Sequence, residues 1–296
     1  PDTDSTGSPI IWAWYLTEVM GSAARPVLLG TPNTEAAFML RRWDLPQPEI
    51  IADVAPGEDV VVVDTNNPAE LPEGINEANL LQIIDHHMLA GGLRTRLPID
   101  ITIRPLACTA TIMHDLIGAD MARMPAGIRG AMLSCILSDT LAFRSPTTTA
   151  HDRAVAEALA GDLGVSIEAH ADELFAAKSD VSAFSDAELL RMDSKEYALG
   201  DSRLRVSVLE TTAPKVVLDR KAGLMAAMGE VARADGADRV LLFVVDILRE
   251  EATLLVPDDM VRRIAEASFG VEVRGDTVVL PGIMSRKKQI IPALKL

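Results

Sequence analysis

Five histidines occur in the 296 residues, and two of them, His86 and His87, stand side by side behind Asp85 at the end of the apolar run Leu80-Leu81-Gln82-Ile83-Ile84. Ligands of open α/β sheets bind outside the carboxyl ends of the strands, so an Asp-His-His there faces the expected crevice. The same reasoning puts Asp64 at the mouth of Val60-Val61-Val62-Val63. Taken singly, Asp64 reads as a turn cap and one histidine as a satisfied core residue. Asp2 and Asp4 are two positions apart, and in an extended segment residues i and i+2 project to one side, which would aim both carboxylates into one cavity. The alternative is an N-cap ahead of a helix. Asp139 ends the apolar stretch 131–137, where a charge is costly unless paired or bound to metal; otherwise it caps the following turn. Together these carboxylates and imidazoles are the ligand mixture that borderline divalent cations such as Mn²⁺ or Co²⁺ accept, whereas Mg²⁺ prefers oxygen alone.

A second set of residues carries the opposite charge. The chain has 43 acidic against 28 basic side chains, a formal net charge of -15, which disfavours a long nucleic-acid backbone as partner. Small anions remain compatible where positive charge is concentrated, and the segment 283–296 holds Arg286, Lys287, Lys288 and Lys295 with no acid. Such a run at a chain end is usually a solvated tail.

Positioning these groups requires elements. In the first half, apolar runs of strand length (27–30, 60–64, 80–85, 99–103) alternate with helical stretches (8–23, 34–43, 109–117, 128–139, 151–163, 167–178), the pattern of crossover-connected parallel strands covered on both faces. The expected fold is therefore α/β, with a doubly wound, mainly parallel sheet over residues 1–178. A small, polar linker is expected at about 179–186. A smaller α/β domain should follow over 187–296, its mixed sheet built from strands at 196–199, 204–210, 239–246, 252–256 and 277–280 and covered by helices near 217–234 and 260–268. The longest uncharged run, between Asp4 and Glu18, is shorter than the roughly 18 to 20 apolar residues of a membrane span, so no membrane partner is expected. Two cysteines, Cys108 and Cys135, lie in apolar stretches and fit a reducing, cytoplasmic setting.

In order and spacing, Pro1-Asp2-Thr3-Asp4-Ser5, Asp64, Asp85-His86-His87, Cys108-Thr109-Ala110-Thr111, Leu137-Ser138-Asp139-Thr140 and Ser285-Arg286-Lys287-Lys288-Gln289 resemble the manganese-dependent (family II) inorganic pyrophosphatases of the DHH phosphoesterase superfamily. The resemblance covers nearly the whole chain. Asp-His-His alone indicates the superfamily; Ser-Arg-Lys-Lys-Gln narrows it to pyrophosphatase.

The resemblance implies a DHH domain followed by a DHHA2-like domain, and hydrolysis of inorganic pyrophosphate to two phosphates by a metal-bridged hydroxide at a dinuclear manganese centre. It implies two Mn²⁺ per subunit, with Co²⁺ or Mg²⁺ as substitutes and further Mg²⁺ arriving with substrate. Asp2 resembles a ligand of the first metal; Asp4, His86 and Asp139 resemble ligands of the second; Asp64 resembles the carboxylate bridging both. His87 is similar to the substrate-contacting histidine, and Lys195, Arg286 and Lys287 to the phosphate-binding cations. Because those cations lie beyond the linker, closure of two domains over the substrate is implied; the family resemblance separately implies a homodimer.

Three features differ from the family pattern. Asp64 is followed by Thr65 where a histidine is usual, and Arg104-Pro105-Leu106-Ala107 stands where Glu-Pro-x-Gly is common. Relatives carry a metal-binding histidine three residues before the position of Pro1, preceded by a strand, so the native polypeptide is expected to extend upstream of Pro1. Relatives in the superfamily acting on oligonucleotides or cyclic dinucleotides carry a late Gly-Gly-Gly-His, absent here, and stacking calls for more than 4% aromatic residues. Polyphosphate hydrolysis and a non-catalytic metal- or phosphate-binding protein are the remaining alternatives.

Overall fold

The computed structural model describes residues 1–200 and 202–295. The chain divides into two compact units, Pro1–Lys178 and Ser179–Leu296.

In the first unit the order is α1 (Thr3–Trp14), β1 (Val27–Leu28), α2 (Thr34–Arg42), β2 (Glu49–Ile50), β3 (Asp59–Val63), β4 (Asn79–Asp85), β5 (Asp100–Ile103), α3 (Thr109–Ile117), α4 (Ala126–Asp139), α5 (Ala150–Leu163) and α6 (Ile167–Lys178). Every strand pairing is parallel, β3-β4-β5 in one sheet and β1-β2 in another. The expected parallel α/β architecture is present, with β2 as an unforeseen strand: its two residues are exposed and carry no apolar run. The first helix begins at Thr3 rather than near residue 8, and after Trp14 it widens into a π turn over Tyr15–Val19.

Helix α4 is the axis of this unit. Its residues from Gly130 to Ser138 are all buried, as expected for a helix apolar on all sides. Helix α1 lies against it at close range because Gly7 has no side chain: a Cβ there would run into Cys135 Sγ. The Cys135 thiol also donates to the Thr3 carbonyl at 3.3 Å. The start of α1 is thereby held beside the last turns of α4, which brings Asp4 toward Asp139.

The second unit holds α7 (Asp186–Met192), β6 (Ser194–Leu199), β7 (Ser202–Thr211), α8 (Pro214–Leu218), α9 (Lys221–Ala234), β8 (Arg239–Asp246), β9 (Glu251–Leu255), α10 (Asp259–Phe269) and β10 (Thr277–Pro281). The sheet order is β10-β9-β8-β7-β6, mixed as expected, with only β7 and β8 parallel. Central strand β8 is buried on both faces, Leu241, Phe243 and Val245 in one cluster and Val240, Leu242 and Val244 in the other, which explains its unbroken apolar sequence. The expected single helix over 217–234 is two helices, α8 and α9. Helix α7 begins inside the polar stretch, where Ser185 and Glu188 cap it reciprocally. Among the described residues no helix is long and apolar enough to cross a membrane.

His170 on α6 docks this helix on α4. Its Nε2 lies 2.8 Å from Ser134 Oγ, which also donates to the Gly130 carbonyl and accepts from Trp43 Nε1. Burial, helped by the Arg42 guanidinium, pushes the His170 pKa down from 6.5 to about 4. A histidine with a lowered folded pKa binds fewer protons folded than unfolded, so its contribution is full above pH 6.5 and is lost as pH falls toward about 4. The shift corresponds to on the order of 3 kcal/mol. Denaturant unfolding across this window should show that loss, and His170→Phe should flatten the slope whatever it does to absolute stability; an unchanged slope would contradict the assignment.

Candidate metal centre

Four element ends converge in the first unit. Asp4 lies in the first turn of α1, Asp64 directly follows β3, His86 and His87 directly follow β4, and Asp139 is the last residue of α4. Because β3 and β4 are parallel neighbours, their carboxyl ends open on the same side. The extended Asp2-Asp4 geometry expected from sequence is not what forms. Asp2 is the N-cap of α1, its Oδ1 accepting from Ser5 N at 3.0 Å and Ser5 Oγ at 2.6 Å, and Asp4 is already helical. Asp2 stays exposed, whereas Asp4 is buried.

Candidate ligand atoms of Asp64, His86 and His87 lie within 4.8 Å of one another, as do those of Asp4, His86 and Asp139, so His86 belongs to both groups. His86 Nδ1 is 3.2 Å from the Leu106 carbonyl, which can only accept; the ring hydrogen is therefore on Nδ1, and Nε2, 3.6 Å from Asp64 Oδ1, is left bare. His87 is held the same way, with Nδ1 2.8 Å from Asp85 Oδ1. Asp85 is fully buried, and its Oδ1 also accepts the His86 and His87 amides at 2.7 and 3.1 Å. Asn66 Nδ2 donates to the other oxygen at 2.6 Å, while its Oδ1 accepts from Ala90 N, so one amide braces both Asp85 and the loop beyond the histidines.

Thr109 opens α3 between two of the carboxylates. Its hydroxyl donates to Asp64 Oδ1 at 2.9 Å and its amide to Asp4 Oδ2 at 2.7 Å. The second contact sets an anion on a helix N-terminus, a favourable dipole interaction. Ser8 Oγ donates to the other Asp4 oxygen at 2.8 Å.

These donors orient the carboxylates without neutralising them. Burial, then the charges of Asp4, Asp139 and Asp2, raise the Asp64 pKa well above its ordinary value, and the Thr109 hydroxyl only partly offsets this. Burial, then Asp4 and Asp2, do the same to Asp139, whose Oδ2 is buried with no partner. Among the described residues no lysine or arginine pairs with Asp2, Asp4, Asp64 or Asp139. Backbone strain is concentrated here as well: Asp64 has φ of 62°, and Leu141, Ala142 and Phe143, just past Asp139, have φ of 48°, 49° and 71°. A buried, mutually repelling carboxylate set with an imidazole nitrogen at its centre and an orphaned oxygen fits divalent cations bound by oxygen and nitrogen.

In the second unit, Lys195 lies on β6 opposite Val206, exposed. Arg286 opens the turn Arg286–Ile290, donates through NH1 to the Asp193 carbonyl at 2.8 Å and pairs through NH2 with Asp193 Oδ1 at 2.8 Å. Its guanidinium is thus tethered two residues from Lys195, with exposed Lys287 next to it. The two residues that depart from the family pattern bond elsewhere, Thr65 to Glu70 Oε2 at 2.7 Å and Arg104 to Asp115 Oδ2 at 2.9 Å.

The model of the DHH family N-terminal domain matches residues 1–138, and that of the DHHA2 domain matches residues 172–296. A protein of Deinococcus radiodurans described as a probable manganese-dependent inorganic pyrophosphatase is 39% identical, over 100% of this chain and 95% of its own length. A manganese-dependent inorganic pyrophosphatase of Methanocaldococcus jannaschii is 33% identical over 100% and 95%. The chain belongs to the manganese-dependent inorganic pyrophosphatases. A crystal structure described as a candidate family II inorganic pyrophosphatase of Methanococcus jannaschii overlays with a TM-score of 0.59 at 32% identity, covering 99% of this chain and 95% of that one. Within this family fold, Asp85, Asn66 and Thr109 are the site neighbours to which sequence reading gave no role. Asp85 and Thr109 sit inside quoted motifs; Asn66, two residues past Asp64, had only that proximity as a signal.

Asp64→Asn separates charge from shape here, because asparagine tolerates the left-handed backbone. With chelator present, the variant should unfold at a higher temperature than the parent by several degrees, one repelling charge having been removed. Mn²⁺ should then raise the parental melting temperature and barely move the variant's. Equal Mn²⁺ stabilisation of both would remove Asp64 from the metal centre.

Proposed function

We propose that this chain hydrolyses inorganic pyrophosphate to two phosphates, using two divalent cations, Mn²⁺ foremost, held in its first unit. The observation that carries the reading is the His86-centred cluster, in which buried Asp4 and Asp64 and half-buried Asp139 meet the His86 imidazole, with His87 beside it, and no cationic side chain among the described residues. Asp2 would hold the first cation, Asp4, His86 and Asp139 the second, and Asp64 both. When bound, such a pair supplies Lewis-acid charge and makes water nucleophilic at neutral pH. Co²⁺ or Mg²⁺ are the substitutes, and further Mg²⁺ would arrive with the substrate.

The chain's own groups do the rest. His87, exposed and fixed at Nδ1 by Asp85, presents Nε2 for contact with a phosphate oxygen or for holding a proton there. Arg286 offers a planar fork for bidentate contact with a phosphate, and Lys195 and Lys287 act as mobile point charges. Phosphoanhydride cleavage leaves a protein mainly the tasks of positioning and neutralising charge, which this division of labour provides. We assign the metal centre to residues 1–178 and the phosphate-binding cations to 187–296, joined by the short polar stretch between them. A homodimer is proposed from the family resemblance; the open edge at β5, which exposes Ile101, offers a surface for it. A cytoplasmic setting is supported by the two free, buried cysteines.

Phosphate release from pyrophosphate with Mn²⁺ present, beside polyphosphate and dinucleotide controls, tests the reading. Activity confined to the controls would overturn it. Arg286→Ala and Lys287→Ala should each raise KM or lower kcat by about tenfold or more, since a charge-assisted contact is worth about 1.5 to 3 kcal/mol, with Mn²⁺ affinity intact. Parental kinetics in both would return the segment to a solvated tail.

A further inference from the structure

Next to the metal centre lies a buried acid that hydrolysis as described does not use. Glu35, in the first turn of α2, is fully buried. Its Oε2 accepts from Ser138 Oγ at 2.9 Å and pairs with Lys178 Nζ at 3.2 Å, while Oε1 is buried without a partner. A glutamate in a first helical turn gains from the dipole without having to be fully buried. Full burial beside one partly exposed lysine costs desolvation that the pair alone does not repay. The placement makes sense through Ser138, because that residue immediately precedes Asp139.

Asp139 is bracketed. On one side Glu35 holds the Ser138 hydroxyl; on the other, buried Thr140 Oγ1 donates to the Ile136 carbonyl at 2.6 Å, and the left-handed turn Leu141–Phe143 follows at once. One oxygen of the Asp139 carboxylate is unpartnered, and beside its own contacts with Asp4 and Cys108 the bonds made by its chain neighbours help set its direction. Lys178, which supplies the counter-charge, is the last residue of the first unit.

We propose that Glu35 is a positioning residue of the metal centre: through the Ser138 hydroxyl it fixes the end of α4 from which Asp139 projects, with Lys178 as its counter-ion. This rests on the metal reading given above. Outer hydrogen-bond partners of metal ligands typically govern metal affinity by about 10- to 100-fold, and that is the effect to look for.

The test is Mn²⁺ affinity by titration calorimetry on the full chain, with melting temperature in chelator as the measure of folding. Ser138→Ala deletes one hydroxyl and leaves the Glu35–Lys178 pair; Glu35→Gln removes the charge; Lys178→Met, at a partly exposed position, is the variant that folds most readily. Each should weaken Mn²⁺ binding by about tenfold or more. The double variant Glu35→Leu/Ser138→Ala should bind no more weakly than Glu35→Leu alone, because leucine offers the Ser138 hydroxyl no acceptor and both changes cut the same link. A purely structural role would lower the chelated melting temperature and leave Mn²⁺ affinity at the parental value. Parental affinity in folded Ser138→Ala or Lys178→Met, or costs that add in the double variant, would overturn the inference. A parental protein that bound no Mn²⁺ would instead overturn the metal reading, and this inference with it.

Discussion

Asp4 and Asp64 are buried, and half-buried Asp139 and exposed Asp2 lie close enough for their charges to act on one another. Two like unit charges about 4 Å apart at an effective dielectric constant of about 20 repel by roughly 4 kcal/mol. The chain supplies hydroxyls and amides around the group, from Thr109 and Ser8, and an imidazole from His86, yet no cationic side chain among the described residues. Hydrogen bonds of that kind set direction; they do not cancel three charges. The raised pKa values of Asp64 and Asp139 express the same imbalance. Divalent cations bound as proposed would remove it.

Other features of the first unit are costly in isolation. A left-handed aspartate at the end of β3 and three consecutive left-handed residues after α4 persist because the surrounding packing over-determines them. The core around α4 is large enough to do so, and the fit of Gly7 against Cys135 fixes how close α1 can come. Cys135 and Cys108 gain nothing as nucleophiles, since burial and the nearby carboxylates push both thiols up and keep them protonated. They contribute packing and weak hydrogen bonds, Cys135 to the Thr3 carbonyl and Cys108 to the nearby carboxylates. The second unit follows a different design, with a sheet covered on both faces and exposed Lys195 and Lys287 beside a half-buried Arg286 tethered by its contacts with Asp193.

What the sequence revealed follows from how local each signal is. Strand ends carrying Asp64 and Asp85-His86-His87 were visible because apolar runs stop abruptly at a charge. Helix α1 was placed late because Thr3 to Ser8 is small and polar, so the apolar periodicity starts only after the first turn and the capping pair Asp2-Ser5 looks like ordinary loop composition. Strand β2 has no periodicity at all. The Glu35–Ser138–Lys178 link joins residues separated by 103 positions and more, so nothing short of tertiary packing brings it to view. Asn66 is similar: its partners, Asp85 and Ala90, lie on another strand end and loop.

In the proposed centre Asp64 serves two cations at once. Electron paramagnetic resonance of the chain saturated with Mn²⁺ addresses this directly, because ions sharing a carboxylate couple magnetically. At full loading the single-ion hyperfine pattern should be replaced by the spectrum of an exchange-coupled pair. A single-ion spectrum persisting at saturation would contradict this assignment.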